Sequence, residues 1–160
     1  MRIEEKLGRL LRERGLSLVT AESCTGGLVA DRITDIPGSS EYFLGGVVAY
    51  DNRIKVEVLM VAQETLDRHG AVSEATVRAM AEGARRLLGA DLAVSVSGVA
   101  GPGGGSAEKP VGTTWIGLAD RQGSRARQFC WQGDRRENKA ASAQAALELV
   151  VEYLVWSGGG

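Results

Sequence analysis

Chemistry can sit first at a serine placed between an apolar run and a pair of glycines. Ser23 lies in Thr20-Ala21-Glu22-Ser23-Cys24-Thr25-Gly26-Gly27. Before it, Leu18-Val19-Thr20-Ala21 reads as a short buried strand, and after it Leu28, Val29, Ile33 and Ile36 follow helical spacing. A hydroxyl at such a strand-to-helix turn faces free backbone N–H groups, which favour an anion. The same amides can form an oxyanion hole for an acyl-transfer intermediate. The residues do not spell the Gly-x-Ser-x-Gly of a nucleophile elbow. On pattern alone, Ser23 or Thr25 serving only as the helix cap is the stronger reading.

The second place is the loop Ser97-Gly98-Val99-Ala100-Gly101-Pro102-Gly103-Gly104-Gly105-Ser106, which follows an apolar strand pattern at Leu92 to Val96. Five glycines between positions 98 and 105 let backbone approach a ligand closely and turn several N–H groups inward. It is neither a Walker A loop nor a Gly-x-Gly-x-x-Gly dinucleotide motif. A flexible surface connection is the alternative, against which stand its length and the stiffening by Pro102 and Pro110.

A serine nucleophile needs a base. His69 is the only histidine, in a polar stretch between Arg68 and Gly70, where an exposed structural role fits better than a triad. One histidine also argues against a catalytic zinc, so no metal is expected. Lysine remains, provided its pKa is lowered from ~10.4 by about 2–3 units through burial or a neighbouring cation. Pattern does not say which lysine. A rival nucleophile is Cys24, whose thiol would be acidified at a helix N-terminus.

The elements that must position these groups alternate along the chain. Ile3, Leu7, Leu10 and Leu11 predict a helix ended by Gly15, and Phe43 to Tyr50 predicts a strand with a bulge or close approach at Gly45-Gly46. Ser73 caps a helix whose apolar face carries Val77, Met80, Ala81, Ala84, Leu87 and Leu88. Strands follow at about 113–119 and 126–131, joined by so short a link that they must be antiparallel. Asp134 and Glu137 have capping-box spacing at the head of a last helix. The fold class is α/β, a three-layer α/β/α sandwich with a mixed sheet, formed as one domain over residues 1–160. The glycines at 158–160 are expected to fray.

Composition bounds the partners. With 19 Lys and Arg against 20 Asp and Glu, the chain has no built-in attraction for a polyanion, so nucleic acid is not expected despite five arginines between Arg121 and Arg136. No apolar stretch approaches the ~20 residues of a membrane span. Two cysteines, Cys24 and Cys130, do not make a disulfide framework, and a reducing cytoplasm is the natural compartment. The apolar run Leu147 to Trp156 is long enough to cover a partner as well as a core, which points to a homodimer or higher homo-oligomer.

The Ser23 and Ser97 motifs occur together with Gly70-Ala71-Val72-Ser73-Glu74 and Glu108-Lys109-Pro110-Val111-Gly112-Thr113. This set closely resembles the C-terminal domain of the competence/damage-inducible protein A (CinA) family, from about Ile3 to Leu154. The stand-alone form of that domain is a nicotinamide-nucleotide amidase. The resemblance implies hydrolysis of the carboxamide of nicotinamide mononucleotide to nicotinate mononucleotide and ammonia, without a cofactor. It implies a Ser–Lys dyad falling on Ser23 and Lys55, an active-site tyrosine at Tyr50, a hydroxyl at Ser97 and an arginine at Arg135. Thr25, Gly26 and Gly27 would then hold the oxyanion, and Arg135 with Gly98, Gly103, Gly104 and Gly105 the phosphate. Arg53 reads as a surface residue, or as a cation lowering the pKa of Lys55. Two departures stand out: Ser97 where many members have threonine, and Lys139 where many have a second arginine. The latter weakens any bidentate phosphate contact there. A ligand-binding domain without catalysis is the alternative.

Overall fold

Gly15 ends the first helix in the left-handed conformation, its N–H returning to the Arg12 carbonyl, as its position in the sequence predicts. The computed structural model describes residues 1–158. In chain order the elements are α1 (Ile3–Arg14), β1 (Leu18–Glu22), α2 (Leu28–Thr34), β2 (Phe43–Val48), α3 (Asn52–Glu57), α4 (Gln63–His69), α5 (Glu74–Leu88), β3 (Leu92–Gly98), β4 (Thr113–Ala119), β5 (Ser124–Cys130) and α6 (Arg135–Gly158). A single 3-10 turn, Ser39–Glu41, precedes β2. Gly158 closes α6 rather than fraying, and Gly159 and Gly160 lie outside the described residues.

The sheet order is β2-β1-β3-β4-β5, with β2, β1 and β3 parallel and β4 and β5 antiparallel. The sheet is therefore mixed, and side-chain alternation divides its core in two. Leu18, Val94, Val96, Ile116 and Leu118 pack beneath α1, α2 and α6. Val19, Ala21, Ala93 and Ala119 face the other way, toward α5 and the α3–α4 segment. The bulge falls where the β1–β2 register slips, so that Leu18 pairs with Phe43 but Val19 with Gly45. Of the apolar run in α6, Leu147, Leu149, Val150, Val151 and Leu154 are buried in the chain's own core. Of the run's apolar residues only Val155 and Trp156 remain exposed. No helix among the described residues is long and apolar enough to cross a membrane.

Parallel β1, β2 and β3 end on the same side of the sheet, which brings Ser23, Tyr50 and Ser97 to one edge. Ligands of open α/β sheets bind at such an edge. Segment 51–69 adds two short helices that carry no periodic signal, and it is pinned against α5 at Gly83. A Cβ on Gly83 would overlap the backbone carbonyl of Leu59, just after the helix that bears Lys55. Overpacking costs about 1–3 kcal/mol, against roughly 1 kcal/mol that alanine gains over glycine in a helix. A backbone carbonyl has less room to yield than a side chain. Gly83→Ala is therefore expected to lower the urea midpoint with an unchanged slope, a net loss of about 1–2 kcal/mol.

Candidate active site

The turn around Ser23 is built from the end of β1. The Ser23 N–H donates to the Val96 carbonyl at 2.9 Å, continuing the ladder one residue past the strand. The chain then reverses through Gly26 (φ 61°) and Gly27 (φ 108°), both left-handed, where any side chain would be strained. The Gly26 N–H is held by the Ser23 carbonyl at 3.1 Å. Neither Ser23 nor Thr25 caps α2, contrary to the simplest reading of the sequence. The cap position is Gly27, which has no side chain. The capping acceptor is instead the carboxylate of Glu22, which receives the Val29 N–H at 2.8 Å and the Ala30 N–H at 3.1 Å. It also receives the Thr25 hydroxyl at 2.6 Å. Ser23 is thereby left free for another partner.

That partner is Lys55, on α3 and only 1% exposed. Its Nζ lies 3.0 Å from Ser23 Oγ, 2.8 Å from the Ala49 carbonyl and 3.1 Å from the Tyr50 carbonyl. A neutral amine has two N–H donors and one lone pair. With both carbonyls taking an N–H, the lone pair is left for the Ser23 hydroxyl. Burial pushes the Lys55 pKa below its ordinary value of 10.5, opposed by the nearby Asp51 carboxylate. The lowering therefore comes from desolvation rather than from Arg53, which is exposed and gives its N–H to the Asp51 cap at 2.7 Å. The neighbouring Cys24 thiol is pushed up to about 11, chiefly by burial. This works against a thiolate nucleophile.

Tyr50 meets the site twice. Its carbonyl holds Lys55, while its exposed ring carries the hydroxyl to Arg135, whose Nη2 donates at 3.1 Å. The other Arg135 nitrogen, Nη1, donates to the Gly101 carbonyl at 2.7 Å. Arg135 thus bridges the β2–α3 loop and the glycine loop. Beside that loop lies a cavity of about 590 Å³ lined by Ala100, Pro102, Val111, Asp134, Arg135 and others. The glycines have two distinct uses. A Cβ on Gly98 would come within 2.5 Å of Thr114 Oγ1 on β4, and one on Gly105 within 2.8 Å of the Val111 N in the segment leading into β4, so these allow the loop to pack closely there. Around Gly103 there is open space, and Gly104 meets only Val99 at ordinary contact distance. Ser97 is buried and shares with Ser95 the α5 side of β3.

Two buried polar side chains that hold the site give no signal in the sequence pattern, Glu22 and Asn138. Asn138, on the first turn of α6, donates to the Ala100 carbonyl and accepts the Gly133 N–H, both at 3.0 Å. The capping box predicted there is formed, with Glu137 N–H on Asp134 at 2.9 Å and Asp134 N–H on Glu137 at 3.0 Å. One turn on, Lys139 Nζ reaches to 4.0 Å from where a Gly26 Cβ would be, placing a second cation over the Ser23 turn. His69 is exposed and far from this role; its carbonyl accepts from Lys109 at 2.6 Å. Among the described residues no group of His, Cys, Asp or Glu is placed to hold a metal. Of the five arginines between 121 and 136, three face carboxylates: Arg121 on Asp91 at 2.9 Å, Arg127 on Glu152 at 2.9 Å and Arg125 near Asp120 at 3.8 Å.

Comparison with known proteins agrees with this architecture. A sequence profile described as the CinA C-terminal domain matches residues 1–154. A CinA-like protein of Chloroherpeton thalassium is 52% identical over 158 residues, covering 96% of this chain and 38% of that protein. One of Geotalea uraniireducens is 51% identical over 153 residues, covering 96% of this chain and 36% of its own length. The chain thus spans less than two-fifths of these curated relatives. Among solved structures, the competence damage-inducible protein A (ComA) of Klebsiella pneumoniae superposes with a TM-score of 0.92 at 38% identity, covering 96% of this chain and 95% of that one. The competence/damage inducible protein CihA of Agrobacterium tumefaciens gives 0.89 at 42% identity, with 94% of each chain covered.

Proposed function

The chain belongs to the CinA C-terminal domain family, and on that premise we propose that it hydrolyses the carboxamide of nicotinamide mononucleotide, using Ser23 as nucleophile and Lys55 as base. The observation that carries the reading is the buried Lys55 Nζ at 3.0 Å from Ser23 Oγ. A surface lysine would hold its proton at neutral pH; a buried one gives it up more readily.

In this mechanism neutral Lys55 takes the proton of Ser23 as Oγ attacks the carboxamide carbon. Since the Gly26 N–H is held by the Ser23 carbonyl, the Thr25 and Gly27 N–H groups stabilise the oxyanion. Collapse breaks the C–N bond, and the proton on Lys55 passes to the departing nitrogen, releasing ammonia and leaving an ester on Ser23. Water, deprotonated by Lys55, then hydrolyses the ester to nicotinate mononucleotide and restores the serine. Arg135 and Lys139 supply positive charge for the phosphate, and the Gly103–Gly104 backbone supplies N–H donors. Ser97 remains a candidate to orient the substrate from the neighbouring strand.

Incubation with nicotinamide mononucleotide and assay of ammonia tests the reading. Binding of the nucleotide without ammonia release would identify a ligand-binding domain instead. Tyr50 separates positioning from proton transfer. With its hydroxyl on Arg135, Tyr50→Phe is expected to raise KM by about three- to tenfold, the scale of one exposed hydrogen bond, while kcat stays within about threefold. A loss of kcat beyond about 100-fold, the scale of general acid–base catalysis, would instead make the phenol a proton donor.

A further inference from the structure

We propose that Glu22 is a positioning residue for the nucleophile: it takes over the capping of α2 so that the Ser23 hydroxyl stays on Lys55. The proposal rests on Ser23 being the nucleophile, as above. Glu22 is 1% exposed, and three donors converge on its carboxylate: the Thr25 hydroxyl and the N–H groups of Val29 and Ala30. No cation pairs with it among the described residues, so these donors satisfy the buried charge.

The arrangement matters because a helix start demands an acceptor. Serine and threonine are preferred for that task, and both lie in this turn. If the first amides of α2 were unsatisfied, Ser23 and Thr25 would be the nearest oxygens to supply them. A Ser23 Oγ rotated toward those amides would leave its present place 3.0 Å from Lys55 Nζ. Glu22 removes the competition by presenting two oxygens from the end of β1. Through Thr25 Oγ1 it also fixes the turn whose amides face the substrate.

Glu22→Gln isolates the effect, since the side chain keeps its length and one acceptor oxygen. Its NH2 group must then face a backbone N–H of α2, that of Val29 or that of Ala30, so the turn has to shift. Thr25→Val is the milder partner variant, removing one donor and leaving the carboxylate on its amides. The readout is the rate at which Ser23 reacts with a fluorophosphonate, scored by mass spectrometry on folded protein at matched urea stability. In that reaction the Oγ–P bond forms as the P–F bond breaks; the serine proton passes to Lys55 and fluoride leaves.

The expected result is labelling of Ser23 in wild type, slowed at least tenfold in Glu22→Gln and several-fold in Thr25→Val. With nicotinamide mononucleotide, kcat should fall in parallel and KM should stay within about threefold, as for a defect confined to the transition state. A purely structural carboxylate would lower the urea midpoint but leave the labelling rate of folded protein unchanged, and that result overturns the proposal. If Glu22→Gln does not fold, Thr25→Val decides by the same criterion. Wild type that labels at Ser23 but releases no ammonia removes the amidase reading while leaving Glu22 testable. Wild type that neither labels nor releases ammonia removes both.

Discussion

Ser23→Ala is expected to lower ammonia release from nicotinamide mononucleotide by about four to six orders of magnitude, the scale seen when a serine nucleophile is deleted. The loss should come with little change in fold. The Ser23 backbone keeps its bond to the Val96 carbonyl, and α2 keeps its cap on Glu22, because the hydroxyl serves neither. Stability should therefore change by no more than about 1 kcal/mol, the worth of one hydrogen bond. Cys24, next in the chain, is not expected to substitute, since its buried thiol is pushed up to about 11. Hydrolysis at more than a few per cent of the wild-type rate in Ser23→Ala would transfer the nucleophile to another group or to water. Iodoacetamide treatment of both proteins then distinguishes a thiol from activated water.

Elements whose stability is local were legible in the sequence. The Gly15 stop of α1, the Ser73 cap of α5 with its Oγ on the Thr76 N–H and the Asp134–Glu137 box of α6 are made by residues within four positions of one another. So is the tight antiparallel link of β4 and β5. The helices α3 and α4, of six and seven residues, were not legible. Helices so short are marginal on their own and form here because Leu59, Val61 and Leu66 are buried against α5. Lys55 was hidden for the same reason. Its sequence neighbours say nothing of the 1% exposure that distinguishes it, and only the family resemblance singled it out. Glu22 shows the limit most clearly. A carboxylate at a strand end reads as a solvated charge, and the capping rule pointed to Ser23 or Thr25 in its place. What the rule lacked was the return of α2 over the end of β1, seven and eight residues along the chain.

Lys55→Met should be nearly as damaging, with a loss of about 10²- to 10⁴-fold in kcat, the range attributed to a positioned general base. Its pH dependence makes the prediction specific. Only the neutral amine accepts a proton, so below the Lys55 pKa the wild-type rate should rise about tenfold per pH unit and then level off. Because burial lowers that pKa, the plateau should begin below 10.5. The slope should be absent in Lys55→Met, whatever rate remains; a slope that survives belongs to some other group. Stability gives an independent check with a fixed sign. The unfolded lysine holds its proton up to about 10.4, whereas the folded one releases it earlier, so between the two values the unfolded chain binds more protons and stability from this group rises with pH. Below the folded pKa that contribution is lost, and the protonated amine carries the full desolvation cost, offset by its bonds to Ser23, Ala49 and Tyr50. Urea midpoints measured across this window should therefore climb with pH in wild type relative to Lys55→Met. Equal slopes in the two proteins would mean that the lysine titrates as a solvated side chain, and a solvated lysine is too basic to deprotonate Ser23 near neutral pH.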